Sequence, residues 1–142
     1  SMTRVDFHSQ VQDKINYSCR LIRKARVANC QILILSENAD QAAELDQALW
    51  RFSPVDFLPH VMLSDPLSAH TPIIITTDLN APFPHHDLLI NLSQRFPENF
   101  SQFNRVIEVV SQHEDDANSG RQRFRMYQQQ SIKPSHILAS TI

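Results

Sequence analysis

Glycine is nearly absent from this sequence. Gly120 is the only glycine in 142 residues, where average usage of about 7% would supply about ten. Loops that hold phosphate groups need glycine, because the backbone must approach the phosphates closely. The sequence contains no G-x-G-x-x-G, Walker or G-x-S-x-G motif. These absences indicate a domain that holds no nucleotide and needs no cofactor.

Cysteine is scarce, and charge of either sign is nearly balanced. Cys19 and Cys30 are the two cysteines. Both lie in apolar stretches, so we interpret them as small buried hydrophobes with reduced thiols, a disulfide between them being the alternative.

The net charge of the chain is −2, which excludes a general polyanion binder. Any contact with nucleic acid or with an acidic peptide therefore requires a local basic patch.

Long hydrophobic runs are also missing. The longest uncharged apolar runs, residues 31–35 and 73–76, are far shorter than the roughly 20 residues that cross a bilayer. Arg4 and Asp6 interrupt the region where a signal peptide would have its apolar core. We expect a cytoplasmic protein with no membrane contact. Ser1 before Met2 is interpreted as the remnant of a cleaved tag.

The chain is expected to form one domain over residues 1–142, with residues 131–142 as a C-terminal tail. Apolar patterns predict strands at residues 3–8, 31–35, 57–58, 73–76, 87–92 and 105–110. Helices are predicted to begin at the capping boxes Ser9-x-x-Gln12 and Ser111-x-x-Glu114, and after Asn38 with Gln41. This alternation is typical of an α/β fold with a mostly parallel central sheet flanked by helices.

The seven histidines raise the question of a metal or catalytic site. His85 and His86 are adjacent on an extended segment, so their side chains point to opposite sides and cannot easily share a metal ion. We interpret them as part of a surface loop, and His60 as a buried, hydrogen-bonded residue. No H-x₃-H spacing for zinc is present. We predict no catalytic, metal-binding or cofactor-binding residue.

Arginine and aromatic residues are concentrated in the last helix. Three arginines and two aromatics fall within residues 121–127. At 100° per residue one helix face carries Arg121, Phe124, Arg125 and Gln128, with Tyr127 adjoining Phe124 and Ile132 nearby. A guanidinium group beside a ring is a composition typical of recognition surfaces. The alternative is that the aromatics only anchor the helix while the arginines are solvated.

Several segments together resemble one protein family. Residues 45–60 read L-D-Q-A-L-W-R-F-S-P-V-D-F-L-P-H, residues 87–92 read D-L-L-I-N-L, and residues 121–127 read R-Q-R-F-R-M-Y. The helix ending in L-D-x-x-L-W, the F-x-P-H after it and the final R-x-R-aromatic-x-x-Y are similar to the chi subunit of bacterial DNA polymerase III holoenzyme. That subunit is an accessory protein of the clamp loader.

The resemblance implies a fold like a nucleotide-binding (Rossmann-like) domain, but without the glycine-rich loop, nucleotide or catalysis. It implies two protein partners, the psi subunit and the acidic C-terminal tail of the single-stranded-DNA-binding protein, so DNA is contacted only indirectly. The tail-binding positions it implies are Arg121, Phe124 and Arg125. The sequence departs from the family pattern at Phe124, where tyrosine is usual, and at Ala117, where a basic residue is usual.

The resemblance is densest around Trp50, Phe57, Pro59 and His60. We expect these four residues to lie near the surface used for psi, the alternative being that Trp50 and Phe57 are only core. Two functions compete for the whole chain. The first is a non-catalytic replisome adaptor, and the second is a small nucleotide- or metal-dependent hydrolase on the same α/β sheet. The absence of glycine loops and of clustered carboxylates favours the adaptor.

Overall fold

The computed structural model describes residues 2–52 and 58–139. These residues form seven strands and three α-helices, with two short 3₁₀ helices at Ser68–His70 and Phe100–Gln102. The strands are β1 (Arg4–Val11), β2 (Ile32–Leu35), β3 (His60–Met62), β4 (Ile73–Thr76), β5 (Leu88–Asn91), β6 (Arg105–Ser111) and β7 (Ser135–Leu138). The helices are α1 (Lys14–Val27), α2 (Ala39–Phe52) and α3 (Glu114–Gln129).

The seven described strands form one sheet in the order β3-β4-β2-β5-β6-β1-β7. Every neighbouring pair is parallel, so the expected α/β fold is confirmed. Strands β2, β4 and β5 are buried along their whole length, because parallel sheets have both faces covered. Leu33, for example, lies between Ile74 and Leu89 at the centre of the sheet.

The helices divide between the two faces of the sheet. One apolar cluster joins α1 and α2 to the sheet and includes Ile22, Leu45 and Leu49. The other cluster lies on the opposite face, where Phe7 and Val106 of the sheet meet residues of α3 such as Tyr127. The α3 face of the sheet is therefore separate from the α1–α2 face.

The predicted start of the first helix at Ser9 is wrong. Strand β1 continues past Ser9 to Val11, which is paired with Ser111, and a register irregularity occurs between His8 and Val11. Gln10 within this bulge has φ 61°. Helix α1 begins later, where the Asp13 side chain accepts a hydrogen bond from the Asn16 backbone N–H at 3.1 Å. Pairing between β1 and β6 thus overrides the local capping pattern.

The predicted cap of the last helix is also wrong. Ser111 ends strand β6, and His113 precedes α3 without a side-chain cap hydrogen bond. The Ser111 backbone N–H instead donates to Asp116 Oδ2 at 2.7 Å. The cap of α2 is confirmed, because the Gln41 N–H donates to Asn38 Oδ1 at 2.9 Å.

The C-terminal tail forms an additional strand that the sequence pattern does not predict. Strand β7 lies at the sheet edge beside β1, with His136 in register with Phe7. Asp6 joins the strands, since its carboxylate accepts hydrogen bonds from Ser135 Oγ and from Arg105 Nε at 2.9 Å. Burial alone would raise the pKa of Asp6, but these hydrogen bonds and the nearby positive charges hold it below its ordinary value.

Among the described residues, no helix has the length and apolar character that a membrane span requires.

Candidate functional site

A buried polar cluster sets the rotation of α3 about its axis. Glu108, fully buried in β6, accepts hydrogen bonds from Arg123 Nε at 3.0 Å and from the Tyr127 hydroxyl at 2.7 Å. Asn91 of β5 donates to the same carboxylate at 3.0 Å. Burial and the adjacent Glu108 carboxylate raise the pKa of Tyr127 well above its ordinary value, so its hydroxyl remains a donor. Because Arg123 and Tyr127 face the sheet, the remaining arginines of the helix face outward.

Gly120 brings α3 unusually close to the sheet. A Cβ atom at this position would lie 2.9 Å from both γ-carbons of Val110 in β6. At that distance the Val110 side chain or the helix would have to move. Gly120 thus packs directly against Val110. Beside this contact an open groove, lined by Ala117 and Gly120, lies between α3 and the ends of β1 and β6.

The groove has a volume of about 340 Å³. Its floor is apolar, and its rim carries Arg121 on the helix side and His136 on the β7 side. The complete lining consists of Ser9, Gln10, Val110, Ser111, Ala117, Gly120, Arg121, Phe124 and His136. Phe124 is half-buried and contacts Phe7, their ring centroids lying 5.1 Å apart. The groove thus combines an aromatic wall with a cationic rim.

The residues predicted for tail binding divide into three groups. Arg121 and Phe124 line the groove. Arg125 and Gln128 are exposed on the same helix but do not line it. Tyr127 and Ile132 are buried, with 0% and 8% of their surface exposed. They lack the surface that a peptide wall would need, so any effect on binding would come through the neighbours they position.

Sequence reasoning missed the small residues and the opposite side of the groove. Ala117 and Gly120 are three positions apart on α3, and a lone glycine inside a helical pattern is a recognisable sign of close packing. Ser9, Gln10 and His136 come from β1 and β7. Only strand pairing brings these three residues to α3, so no local pattern in the sequence reveals them.

A second exposed feature lies at the C-terminal end of α2. Trp50 has 57% of its surface exposed, so the alternative that it is only core is wrong. Its ring lies over His60, with the centroids 4.4 Å apart. His60 is buried as expected, with Nδ1 lying 2.7 Å from the Leu58 carbonyl oxygen and Nε2 lying 3.1 Å from the Asp46 carbonyl oxygen. Pro59 is partly exposed, whereas Phe57 falls outside the described residues.

The adjacent histidines bind different carbonyl groups. His85 is buried, with Nε2 lying 2.5 Å from the Thr71 carbonyl oxygen, so its assignment to a surface loop is wrong. His86 Nδ1 lies 3.0 Å from the Gln102 carbonyl oxygen. Across the described ranges, no group of three or more histidine, cysteine, aspartate or glutamate residues is arranged to hold a metal ion.

The two cysteines are both free thiols. Burial raises the pKa of Cys19 to about 11, with a further rise from the negative charge of Asp13. A buried thiol of this kind is protonated at neutral pH and is therefore a poor nucleophile.

A cavity of about 590 Å³ lies at the carboxyl ends of β2, β5 and β6, the edge where parallel α/β sheets commonly bind nucleotides. Its lining includes the carboxylates of Glu37, Glu114 and Asp115. The nearby ammonium of Lys14 already pairs with Asp116, with Nζ 3.0 Å from Oδ2. Burial lowers the pKa of Lys14, although Asp116 opposes that shift. The surplus of carboxylates makes this edge unfavourable for phosphate groups.

Comparison with known proteins gives one consistent family. The family model described as "DNA polymerase III chi subunit, HolC" matches residues 2–135. The DNA polymerase III subunit chi of Pseudomonas aeruginosa is 32% identical over 133 residues, covering 91% of this chain and 92% of that protein. The subunit chi of Haemophilus influenzae is 30% identical, covering 76% of this chain and 75% of its own length. The subunit chi of Escherichia coli is 26% identical, covering 88% and 83%. The chain therefore belongs to the DNA polymerase III chi subunit family.

Proposed function

We propose that this protein is a non-catalytic accessory subunit of the DNA polymerase III clamp loader. In this role it binds the acidic C-terminal tail of the single-stranded-DNA-binding protein and also binds the psi subunit. It would thereby connect protein-coated single-stranded DNA to the polymerase, while contacting DNA only indirectly. Family membership supports the accessory role, and the groove beside α3 supports the choice of an acidic peptide as ligand.

The observation that carries the tail-binding proposal is the combination of Arg121 and Phe124 at one groove. A peptide ending in Pro-Phe offers one aromatic ring and several carboxylates. The small side chain of Ala117 leaves room in the groove for the ring beside Phe124, and packed aromatic rings attract one another beyond their apolar burial. The Arg121 guanidinium at the rim can pair with a carboxylate.

Neighbouring charges support the same ligand. Arg125 is exposed one turn after Arg121, and Gln128 follows on the same side of the helix. Together they extend the cationic and polar surface beyond the groove, where the acidic residues preceding Pro-Phe would lie. The protein as a whole has net charge −2, so this local patch, rather than overall charge, would attract the peptide.

The direct test is a fluorescence anisotropy titration with a labelled acidic peptide ending in Pro-Phe. A peptide that anchors one ring and two or three charges should bind at roughly micromolar strength, near −8 kcal/mol. Arg121→Ala should weaken binding by about 2–5 kcal/mol, because a carboxylate loses its partner. Arg23→Ala on α1 is the matched control, since it removes the same charge from the other face of the sheet. Equal losses in the two variants would mean diffuse charge attraction and would contradict a site at the groove.

For psi we propose the surface around Trp50. An exposed tryptophan whose ring packs at a tilt against a buried histidine offers a rigid apolar area. Tryptophan is enriched among the residues that dominate binding energy at interfaces. Pro59, which is partly exposed, would extend this surface, and His60 would act by supporting the Trp50 ring. Phe57 is the fourth residue of the proposal. Trp50→Ala should abolish co-purification with psi and leave peptide binding at the groove unchanged, whereas loss of both would indicate general misfolding.

The competing function is a small nucleotide- or metal-dependent hydrolase. Its natural location would be the cavity at the carboxyl ends of the strands, where the surplus of carboxylates disfavours phosphate groups. A thermal-shift screen separates the two functions. The adaptor predicts a rise in melting temperature with the acidic peptide and no change with nucleotides or divalent cations. A rise with a nucleotide or metal, and none with the peptide, would favour the hydrolase.

A further inference from the structure

Positive charge is concentrated on helix α1. Its 14 residues include five of the 13 lysine and arginine residues of the chain and none of the 15 aspartate and glutamate residues. These five are Lys14, Arg20, Arg23, Lys24 and Arg26. The whole chain has net charge −2, so the residues outside α1 carry a net charge of −7. A basic element of this kind is the local patch that contact with a polyanion requires.

The fold itself holds two of these five cations. Lys14 pairs with Asp116, and Arg26 Nη1 donates to the Cys30 carbonyl oxygen at 2.8 Å. Lys24 and Arg26 also lie in the last turn of α1, where the helix dipole favours positive charge. A role confined to the helix dipole would affect the stability of the protein and no ligand, so the two explanations of Lys24 can be separated by experiment.

The other three cations form one exposed stripe, which we call the α1 stripe. At 3.6 residues per turn, Arg20, Arg23 and Lys24 fall within an arc of about 100° on the helix surface, and all three are exposed. Arg20 and Lys24 lie one turn apart, about 6 Å along the helix axis. Among the described residues, no carboxylate is paired with either of these two. Their charges are therefore accessible to a ligand.

A buried ring supports the first cation of the stripe. The Arg20 guanidinium carbon lies 5.6 Å from the centre of the Tyr17 ring. Tyr17 is 5% exposed, and its hydroxyl is hydrogen-bonded to His8 Nδ1. This contact restricts the positions of the Arg20 side chain while its charge remains at the surface. Arg20 is thus oriented before any ligand binds.

The chemistry of the α1 stripe favours duplex DNA over the other polyanions. An acidic peptide gains most of its affinity from anchors that fill desolvated pockets, whereas DNA gains affinity when exposed cations release its counterions. Single strands also require rings on which bases stack. All residues of α1 are described, and Tyr17, its only aromatic residue, is buried. Duplex DNA needs no such ring and presents one negative charge per roughly 1.7 Å of its axis.

We propose that the α1 stripe binds the phosphate backbone of duplex DNA without sequence preference. Through the groove beside α3 the protein would reach DNA only indirectly. The α1 stripe lies on the opposite face of the sheet, so it adds a direct contact and leaves the groove open. This inference does not depend on tail binding. Non-specific contacts of this type have dissociation constants of roughly 10⁻⁴–10⁻⁶ M at physiological salt.

The test is a fluorescence anisotropy titration of the full chain against labelled duplexes of about 20 base pairs, at several salt concentrations from about 50 mM upward. The wild type should bind two unrelated duplex sequences equally well. The logarithm of the association constant should fall against the logarithm of the salt concentration with a slope of about −2 to −3. Each neutralised phosphate contributes about −0.9 to that slope, and the stripe provides two or three contacts.

The variants change one charge at a time. Lys24→Glu should weaken duplex binding about tenfold at ~50 mM salt and make the slope shallower by about one, because one phosphate contact is lost. Arg20→Ala should have a similar effect, whereas Lys24→Arg keeps the charge and should bind within about twofold of the wild type. Lys133→Glu is the matched control, since it makes the same charge change at an exposed lysine that follows α3. It should change binding less than about twofold.

Each alternative gives a different result. Equal losses for Lys24→Glu and Lys133→Glu would mean diffuse charge attraction and would overturn a site on α1. Tighter binding of a single strand than of the duplex of the same length would assign the stripe to single strands instead. If Lys24→Glu weakens binding of polyglutamate but not of duplex DNA, the ligand is an acidic protein segment. Absence of duplex binding by the wild type at ~50 mM salt, where such contacts are strongest, would also overturn the proposal. Melting temperatures verify that each variant is folded.

Discussion

Arg123 and Arg125 lie two positions apart on α3 and illustrate how position determines what an arginine does. Arg123 is 2% exposed and paired with Glu108, and its Nη1 also donates to Ser119 Oγ at 2.6 Å. Arg125 is exposed. The sequence shows the same residue type at both positions, and only the packing of α3 on β6 distinguishes them.

Replacing Arg123 should therefore be far more damaging than replacing Arg125. Arg123→Ala leaves the buried Glu108 carboxylate without its counter-charge, which should lower the free energy of unfolding by about 3–5 kcal/mol. Arg125→Ala, the matched control, should change it by less than about 0.5 kcal/mol. Urea denaturation of the two variants measures both values. Similar values for both would contradict the buried ion pair.

Gly120→Ala should be destabilising even though alanine is the better helix former. The substitution gains about 1 kcal/mol of helix propensity, but the new methyl would lie 2.9 Å from both γ-carbons of Val110. Overpacking of this kind typically costs about 1–3 kcal/mol. Repeating the substitution in a Val110→Ala background should make it neutral or stabilising, because the clashing atoms are gone. Equal costs in both backgrounds, measured by denaturation, would exclude this explanation.

The neighbours Leu49 and Trp50 give a direct comparison of core and surface. Leu49 is 2% exposed, and Leu49→Ala should lower the free energy of unfolding by about 2–5 kcal/mol. Trp50 is 57% exposed, so Trp50→Ala should cost under about 1.5 kcal/mol despite the larger side chain removed. Thermal or urea unfolding of both variants tests this order. If Trp50→Ala lowers the free energy of unfolding more than Leu49→Ala does, Trp50 is a core residue, and the proposed psi surface loses its main support.

At the scale of elements, β7 depends on a buried carboxylate. Asp6 links β7 to β1 and β6 through Ser135 and Arg105. Because its pKa is lowered in the folded protein, the stability that Asp6 contributes is fully present above its ordinary pKa of about 4. That contribution is lost as the pH falls through the lower folded-state pKa.

Asp6→Asn should therefore reduce stability at neutral pH and matter little in strong acid. We expect a loss of about 1–3 kcal/mol at pH 7, from hydrogen bonds to a charged group, that shrinks below about pH 4. Hydrogen exchange should be faster in β7 of the variant at pH 7. Glu44→Gln, an exposed position on α2, is the control and should show neither effect. A pH-independent difference for Asp6→Asn would contradict the lowered pKa.

Helix starts are the elements that local patterns predicted least well. Asn38 does cap α2, but Ser9 and Ser111, which have equally good capping patterns, belong to strands β1 and β6. These two strands pair with each other through Val11 and Ser111 at their ends. A capping hydrogen bond contributes about 1 kcal/mol, and the combined hydrogen bonding and burial of a strand end in the sheet outweighs it.

At the scale of the whole molecule, the proposed recognition of an acidic peptide by a chain of net charge −2 must depend on local charge. We expect the affinity for the acidic peptide to fall several-fold between 0.05 and 0.5 M salt, because exposed ion pairs are screened. A residual affinity should persist from burial of the ring. A peptide with its aspartates replaced by asparagine should bind more weakly and show a flatter salt dependence. Titrations at four salt concentrations provide the measurement, and identical slopes would contradict pairing with the side-chain carboxylates.

The sequence by itself determined the α/β class, the parallel sheet, the apolar core of each central strand and the helix that carries Arg121 and Phe124. These properties follow from hydrophobic periodicity and short motifs, which act over a few neighbouring residues. Only the tertiary structure decided that Arg123 and Tyr127 face inward, that the tail adds strand β7, and that Ser9, Gln10 and His136 face α3 across a groove. The last two features join residues more than a hundred positions apart through strand pairing. The first follows from the buried Glu108 carboxylate, which lies on a different element from Arg123 and Tyr127. A local stretch of sequence carries no signal for either cause.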